Sequence, residues 1–319
     1  MLRGSKLLLL YSMLLTACSP RVATSFWRIG TPADSIRPGY AVLHEGQKVR
    51  HCYPITQWED AADIDTYHQL HHHGVAVESS LMAYRIYFDR KQTIDVYCKR
   101  TPRLELTQSH WYPNDSLLAT GYGDDILRVS GTVGVGSVKY WNGQKQVHIE
   151  PVGRRSQRIV NQNRNQATVE VAVSDWLVEG KTVQMAVQYT LRAGHRDMRC
   201  DVQLSQPVEG LCTGVQILPD GQYLAEELPS GILLASWGTD WPVNDTVKYA
   251  KQTVGLAVFI PSEYAGSLVR DKRNNLCLLR GAMPHFYLTC CGATKENHPV
   301  ATTAEEWFRY LRRWARKLN

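Results

Sequence analysis

The sequence predicts a mainly β protein: a large antiparallel β-sandwich closed by one C-terminal α-helix. Two observations carry this. Residues 168–173 alternate, with Val169, Val171 and Val173 on one side and Glu170 on the other. Glu179-Gly180-Lys181 turns the chain into a return strand at 182–191, and 198–204 supplies a third strand after Gly194. Alternating strands joined by short turns make an antiparallel meander. Helical periodicity, in contrast, is convincing only at 303–318. There Thr302 or Thr303 can cap, and Glu305 and Glu306 open the first turn. Arg312, Arg313, Arg316 and Lys317 close the last, complementing the helix dipole. Trp307, Tyr310, Leu311 and Trp314 then form one apolar face suited to packing on a sheet.

The elements follow in chain order. Arg3 and Lys6 precede an apolar run at 7–15 that is too short to span a bilayer, which takes about 20 apolar residues. A basic start, a short apolar middle and a small-residue exit form an export signal over residues 1–17. Cys18, directly after Leu15-Thr16-Ala17, resembles a bacterial lipobox, in which the thiol receives a lipid and becomes the mature N-terminus. The alternative is an ordinary signal peptide with a chance cysteine. Residues 18–40 read as a tether and 41–319 as a single domain. The stretch 75–88 is β-prone and continuous, and the polar turn at 89–92 leads into a strand at 93–99. Residues 232–237, 253–260 and 285–290 read as further strands.

Composition narrows the function classes. Hydrophobic residues make up 44% of the chain, enough to bury a sizeable core. The formal charge of +6 falls to +4 once Arg3 and Lys6 are removed, which suits an acidic glycan. No dense Lys/Arg stripe with interleaved aromatics is present, so nucleic acid is not an expected partner. Of eight cysteines, seven follow Cys18, an odd number with no CxxC spacing for zinc. A Cys200–Cys212 disulfide is possible in an oxidising compartment, and at least one buried thiol is expected. Cys290 and Cys291 are adjacent and on a strand would point to opposite faces.

Three polar clusters are candidates for chemistry. In His71-His72-His73-Gly74, extended backbone would put His71 and His73 on one face. With Glu78 nearby they can supply metal ligands or an acid–base pair; a solvent-facing histidine loop is the plain alternative. Read as one strand, 75–88 puts Glu78 with Met82, Tyr84 and Ile86 and sends Arg85 to the other face. A carboxylate buried there without a partner costs several kcal/mol or takes up a proton, by about the cost of burying any unpaired charge. Gly121-Tyr122-Gly123-Asp124-Asp125 can bind Ca²⁺, divide acid and base roles, or be a plain turn. The glycines at 131–136 lack the Lys-Ser/Thr helix opening of a P-loop. Trp237-Gly238-Thr239-Asp240-Trp241-Pro242, with Lys248 and Lys251 beyond, offers indoles that stack on sugar rings or plug the sandwich end. Trp111, Tyr112, Tyr140 and Trp141 add aromatics in other predicted loops.

These blocks resemble an exported family, DUF4861. The resemblance lies in His71-His72-His73-Gly74 with Glu78-Ser79, Ala83 to Phe88, Gly123 to Leu127, Trp237 to Trp241 and Lys251 to Gly255. It covers nearly the whole mature chain. It implies a galactose-mutarotase-like supersandwich that binds sugars in a groove across the sheet, and a source among polysaccharide-degrading bacteria of the Bacteroides type. It assigns no catalytic residue. Cys290-Cys291 and Asn244-Asp245 depart from the pattern, the latter where substrate choice can differ.

The expected function is a cell-envelope lipoprotein, anchored in the membrane through Cys18, that acts on acidic oligosaccharides by elimination or dehydration. Elimination beside a uronate needs a base for the proton α to the carboxylate, an acid for the leaving oxygen and positive charge for the enolate-like intermediate. His73 or His71 is the expected base, Glu78 or Tyr122 the proton partner, and Arg85 or Lys251 the carboxylate clamp. Asp124, Asp125, Trp237, Asp240 and Trp241 complete the expected substrate site. Hydrolysis by Glu78 with Asp124 or Asp125, epimerisation by a histidine and a glutamate, and non-catalytic glycan binding through the tryptophans stay open. The sequence names no cofactor and leaves a metal requirement open.

Overall fold

A computed structural model describes residues 21–26, 70–109 and 111–318 with their side chains, and the backbone of the strands Tyr40–His44, Arg50–Cys52 and Trp58–Asp60. The export signal and Cys18 lie outside the described residues. The described strands form one eleven-stranded and two five-stranded antiparallel sheets. The large sheet runs in the order Gln222–Leu228, Gly231–Asp240, Gln252–Pro261, His285–Gly292, Met198–Leu204, Lys181–Arg192, Gln166–Val178, Arg154–Gln162, and then the three strands between 40 and 60. The predicted meander is its centre, with Val171 opposite Val187 and Val187 opposite Val202.

Both small sheets pack on one face of the large sheet and share a core with it. Val75, Val77, Tyr84 and Ile86 of one small sheet and Val215 and Cys277 of the other meet Val171, Val187, Val258 and Leu288 of the large sheet. On the opposite face lies the helix Ala304–Ala315, with Trp307, Leu311 and Trp314 packed on Leu233, Ala235, Ala257 and Phe259. The strands Gly231–Asp240 and Gln252–Pro261 are therefore covered on both faces. Their sequences are nearly continuous apolar runs, whereas the solvent-facing meander alternates. Cys290 faces the inter-sheet core and its neighbour Cys291 the helix, the two-sided placement expected of adjacent strand residues. Gly255 is required where the helix crosses, because a Cβ there would lie 2.6 Å from the Trp307 ring. Thr303 caps the helix by accepting the Glu306 N–H at 3.2 Å.

Three expectations are corrected. Val22–Ser25, inside the span read as a tether, is an edge strand paired with Gly74–Ser79. The stretch 75–88 is not one strand but a hairpin of Gly74–Ser79 and Met82–Tyr87, because Ser79 Oγ accepts the Leu81 and Met82 N–H groups and reverses the chain at Ser80 and Leu81. Cys200 and Cys212 form no disulfide; both are buried free thiols in different sheets, and burial pushes each thiol pKa up.

Candidate functional site

The hairpin reversal changes which side chains share a face. Register pairs Glu78 with Ala83, Ala76 with Arg85, and Gly74 with Tyr87. The next strands continue the row, pairing Arg85 with Asp95, Ala83 with Tyr97, and Tyr97 with Asp125. Residues directly opposite in an antiparallel pair project to the same side. Glu78 and Arg85 thus lie on one face, contrary to the single-strand reading, and Tyr87, Asp95, Tyr97 and Asp125 join them. The other face of these strands is apolar and belongs to the inter-sheet core.

Two ion networks occupy this polar face. Arg85, fully buried, donates through Nη2 to Asp95 Oδ2 at 2.5 Å and Asp125 Oδ2 at 2.8 Å, and through Nη1 to the Trp111 carbonyl. Its guanidinium lies 5.4 Å from the Tyr112 ring centre and 6.0 Å from that of Tyr97. Tyr87 Oη donates to Asp95 Oδ2 at 2.8 Å. Burial pushes the Asp125 carboxyl well above the usual carboxylate range, the neighbouring Asp95 pushes it further, and Arg85 offsets this only in part. One guanidinium facing two carboxyls thus only partly offsets the burial of Asp125.

The second network holds a covering segment. Glu78 accepts from Lys99 Nζ and from the backbone N–H groups of Glu105, at 2.8 Å, and Leu106, at 3.0 Å. Burial raises its pKa, and Lys99 and the two N–H groups oppose the rise. Glu105 in turn accepts from Arg103 at 2.7 Å and from Gly123 N–H at 2.9 Å. Gly123 must be glycine because a Cβ there would collide with the Cys98 carbonyl. Glu78 therefore organises the floor of the fold rather than lining any described cavity.

The triple histidine is not extended. His71–His73 form a 3-10 turn with His72 at φ 57° and His73 at φ 59°, a region that non-glycine residues seldom occupy. His72 Nε2 meets the Leu106 carbonyl at 2.8 Å and His71 Nδ1 the Ser109 carbonyl at 3.2 Å. A carbonyl only accepts, so each of these ring nitrogens carries the proton. Burial, then Arg85, lowers the His72 pKa well below the usual histidine value. His73 stacks on Trp111 at 5.5 Å and meets the Tyr87 ring edge-on at 5.6 Å. The three rings thus hold Leu106, Ser109 and Trp111 of the covering segment, and none of them lines a described cavity.

A cavity of about 390 Å³ opens beside this face, with Asp125, Tyr87 and Tyr112 on its wall and Arg90, Lys91 and Arg128 around it. Gly131 and His148 belong both to it and to a wider basin of about 970 Å³ that carries Lys145, Arg270, Lys272 and Arg273. Arg128, Ser130 and Asn244 join it to a third space of about 550 Å³ lined by Asp240. Asp240 accepts from Arg128 at 3.2 Å and from Trp241 N–H at 2.8 Å, so it orients the cation at the junction.

The remaining expected residues lie apart. Asp124 accepts from Asp125 N–H at 2.8 Å and lies 4.0 Å from Lys295; burial raises its pKa. Tyr122 donates to Gln108 Oε1 and stacks under Arg103 at 4.0 Å. Trp237 is not an exposed platform: it is 8% exposed and belongs to the cluster under the C-terminal helix. With Lys251 it edges a separate space of about 350 Å³, and Lys251 lies 5.7 Å from the Trp241 ring. The described residues contain no cluster of three or more histidine, cysteine or carboxylate side chains arranged to hold a metal. Asp95, Tyr87, Lys91, Arg128 and His148 were missed by sequence reading. The turn at 89–92 was the available signal for Asp95, since it sets position 95 opposite position 85.

A family model described as a domain of unknown function (DUF4861) matches residues 40–319. No curated protein matches the chain.

Proposed function

The chain belongs to the DUF4861 family, and from that premise we propose that it acts on acidic, uronate-containing oligosaccharides by elimination or dehydration. The observation that carries this reading is Asp125, a carboxyl that burial holds above the usual carboxylate range, on the wall of a cavity edged by Arg90, Lys91 and Arg128. Asp125 is the acid for the leaving oxygen. Once it has given up its proton, the Arg85 guanidinium at 2.8 Å stabilises the carboxylate that remains. Arg128 and Lys91 hold the uronate carboxylate and spread the charge that develops on it when the α-proton leaves. The joined spaces, with Lys145, Arg270 and Arg273 in the basin, suit a chain of several acidic sugars rather than a single ring.

Uronate oligosaccharides incubated with the purified protein should develop the absorbance of a conjugated enoate. Arg128→Ala should raise KM for these substrates about tenfold or more, since a hydrogen bond to a charged group contributes about 1.5–3 kcal/mol. Affinity for neutral oligosaccharides should stay within twofold. Tight binding of acidic oligosaccharides with no product of any kind would replace the catalytic reading with a glycan-binding one.

We also propose export and lipid anchoring at Cys18, which puts the site in the cell envelope. The signal ending Leu15-Thr16-Ala17-Cys18 supports this, and no described helix is long and apolar enough to cross a membrane. In membrane fractions of expressing cells, Cys18→Ala should move the protein into the soluble fraction. An unchanged membrane-bound share would exclude the anchor.

A further inference from the structure

Lys139 is a fully buried lysine in the second small sheet, and among the described residues no carboxylate lies within 4.0 Å of its Nζ. The amine instead meets three other polar groups: the Lys91 carbonyl, Thr93 Oγ1 at 3.0 Å and His148 Nδ1 at 3.5 Å. His148 lines both the cavity that holds Asp125 and the adjoining basin. The donor count decides what such a cluster can do. A neutral amine has two N–H bonds and one lone pair. The Lys91 carbonyl only accepts and the Thr93 hydroxyl accepts readily, so they take the two N–H bonds and leave the lone pair for a third group. His148 Nδ1–H is the donor that fits.

We propose that Lys139 and His148 form a two-step proton relay into the cavity, in which the Lys139 amine accepts Nδ1–H of His148 and thereby leaves His148 Nε2 free to take a proton from the bound ligand. This deepens the elimination reading and rests on it for the identity of the proton. In that reaction the bond from the uronate α-carbon to hydrogen breaks, and its electron pair enters the enediolate. A bond from Nε2 to hydrogen forms as Nδ1–H passes to Lys139 Nζ, so the imidazole ends neutral and the lysine charged. Expulsion of the leaving oxygen, protonated by Asp125, completes the step without any oxidant or reductant. Protonating Lys139 beforehand reverses the pair: three N–H bonds then point outward, Nδ1 becomes the acceptor, and Nε2–H faces the cavity as a donor only.

Burial brings the Lys139 pKa down to about 7; Arg155 and Lys91 favour the neutral amine, while Asp89 and Cys212 oppose it. Burial, then Lys139, Arg90 and Lys91, take His148 down to about 4 against the pull of Asp89, so the imidazole is neutral throughout the range where the lysine titrates. The tautomer of His148 therefore follows the protonation state of Lys139.

Nitrogen NMR of the full-length protein labelled on histidine reads that tautomer without substrate. The expected spectrum shows His148, assigned by its loss in His148→Gln, passing from the Nε2–H to the Nδ1–H form as pH rises through about 7. In Lys139→Met the Nε2–H form should persist wherever the imidazole is neutral, and the alkaline arm of the rate should fall about 10²-fold or more, within the range for general base catalysis. One His148 tautomer across the titration in the wild type would overturn the relay. A tautomer switch without turnover of uronates would leave the relay standing and reject the elimination reading instead. A rate lost equally at all pH values in Lys139→Met would assign Lys139 a purely structural role and overturn the relay as well.

Discussion

Asp125→Asn should lower kcat/KM on uronate oligosaccharides by about 10²–10⁴, the range for a lost general acid, while leaving their affinity nearly unchanged. The asparagine keeps the shape and can still accept the Leu127 N–H that Asp125 Oδ1 takes at 3.0 Å. What it lacks is the acidic proton. The same substitution should also cost some stability, because an amide has only one acceptor oxygen and turns an N–H toward the Arg85 guanidinium that Asp125 Oδ2 now accepts at 2.8 Å. Asp125 titrates above its ordinary value of 3.8 because burial and Asp95 oppose its charge. Such a group contributes stability that is fully present below its unfolded pKa and is lost as pH rises through the folded one. Asparagine has no such slope, so the deficit of the variant in urea midpoint should be largest at low pH and shrink as pH rises through the folded pKa of Asp125. A variant of unchanged rate would remove Asp125 from the chemistry, and a rate lost only together with folding would make its role structural.

The largest expected effect on stability is that of Arg85→Met. Arg85 is fully buried and its partners Asp95 and Asp125 are 0% and 3% exposed, so the substitution strands carboxyl groups beneath the covering segment. Removing one partner of a buried ion pair costs about 3–5 kcal/mol, much of it from the charge left behind. The triple substitution Arg85→Met, Asp95→Asn, Asp125→Asn should therefore recover part of the loss, a non-additivity expected of groups in one network. Equilibrium urea denaturation of the two variants measures both effects. A loss below about 1 kcal/mol for Arg85→Met would mean the network contributes little.

The fold was more legible than the site, for physical reasons that particular residues show. Period-two alternation at 168–173 and helical spacing of Trp307, Leu311 and Trp314 are local patterns, and both elements formed where those patterns lie. The face of Glu78 depended on a reversal at Ser80 and Leu81, where one serine hydroxyl, that of Ser79, does what a Gly-Asn turn would have advertised. A turn placed there exchanges the faces of every later residue in the stretch, which is why Arg85 was separated from Glu78. The histidine cluster was visible but its geometry was not, because two residues at positive φ are set by distant carbonyls at 106 and 109. The cavity wall joins 87, 90–91, 112, 125, 127–131, 148 and 242–244, segments that no local spacing connects. Trp237 looked like a sugar platform because its loop contains glycine and proline, yet the C-terminal helix claims its ring.

Mass spectrometry of a defined uronate-containing oligosaccharide, incubated with wild type and with Asp125→Asn, tests the central claim most directly. Elimination by the wild type should give two products whose summed mass equals the parent, one of them carrying a conjugated double bond, and dehydration a single unsaturated product one water lighter, either formed about 10²-fold or more slower by the variant. Products whose summed mass exceeds the parent by one water, an isomer of unchanged mass, or equal turnover by the two proteins would contradict it.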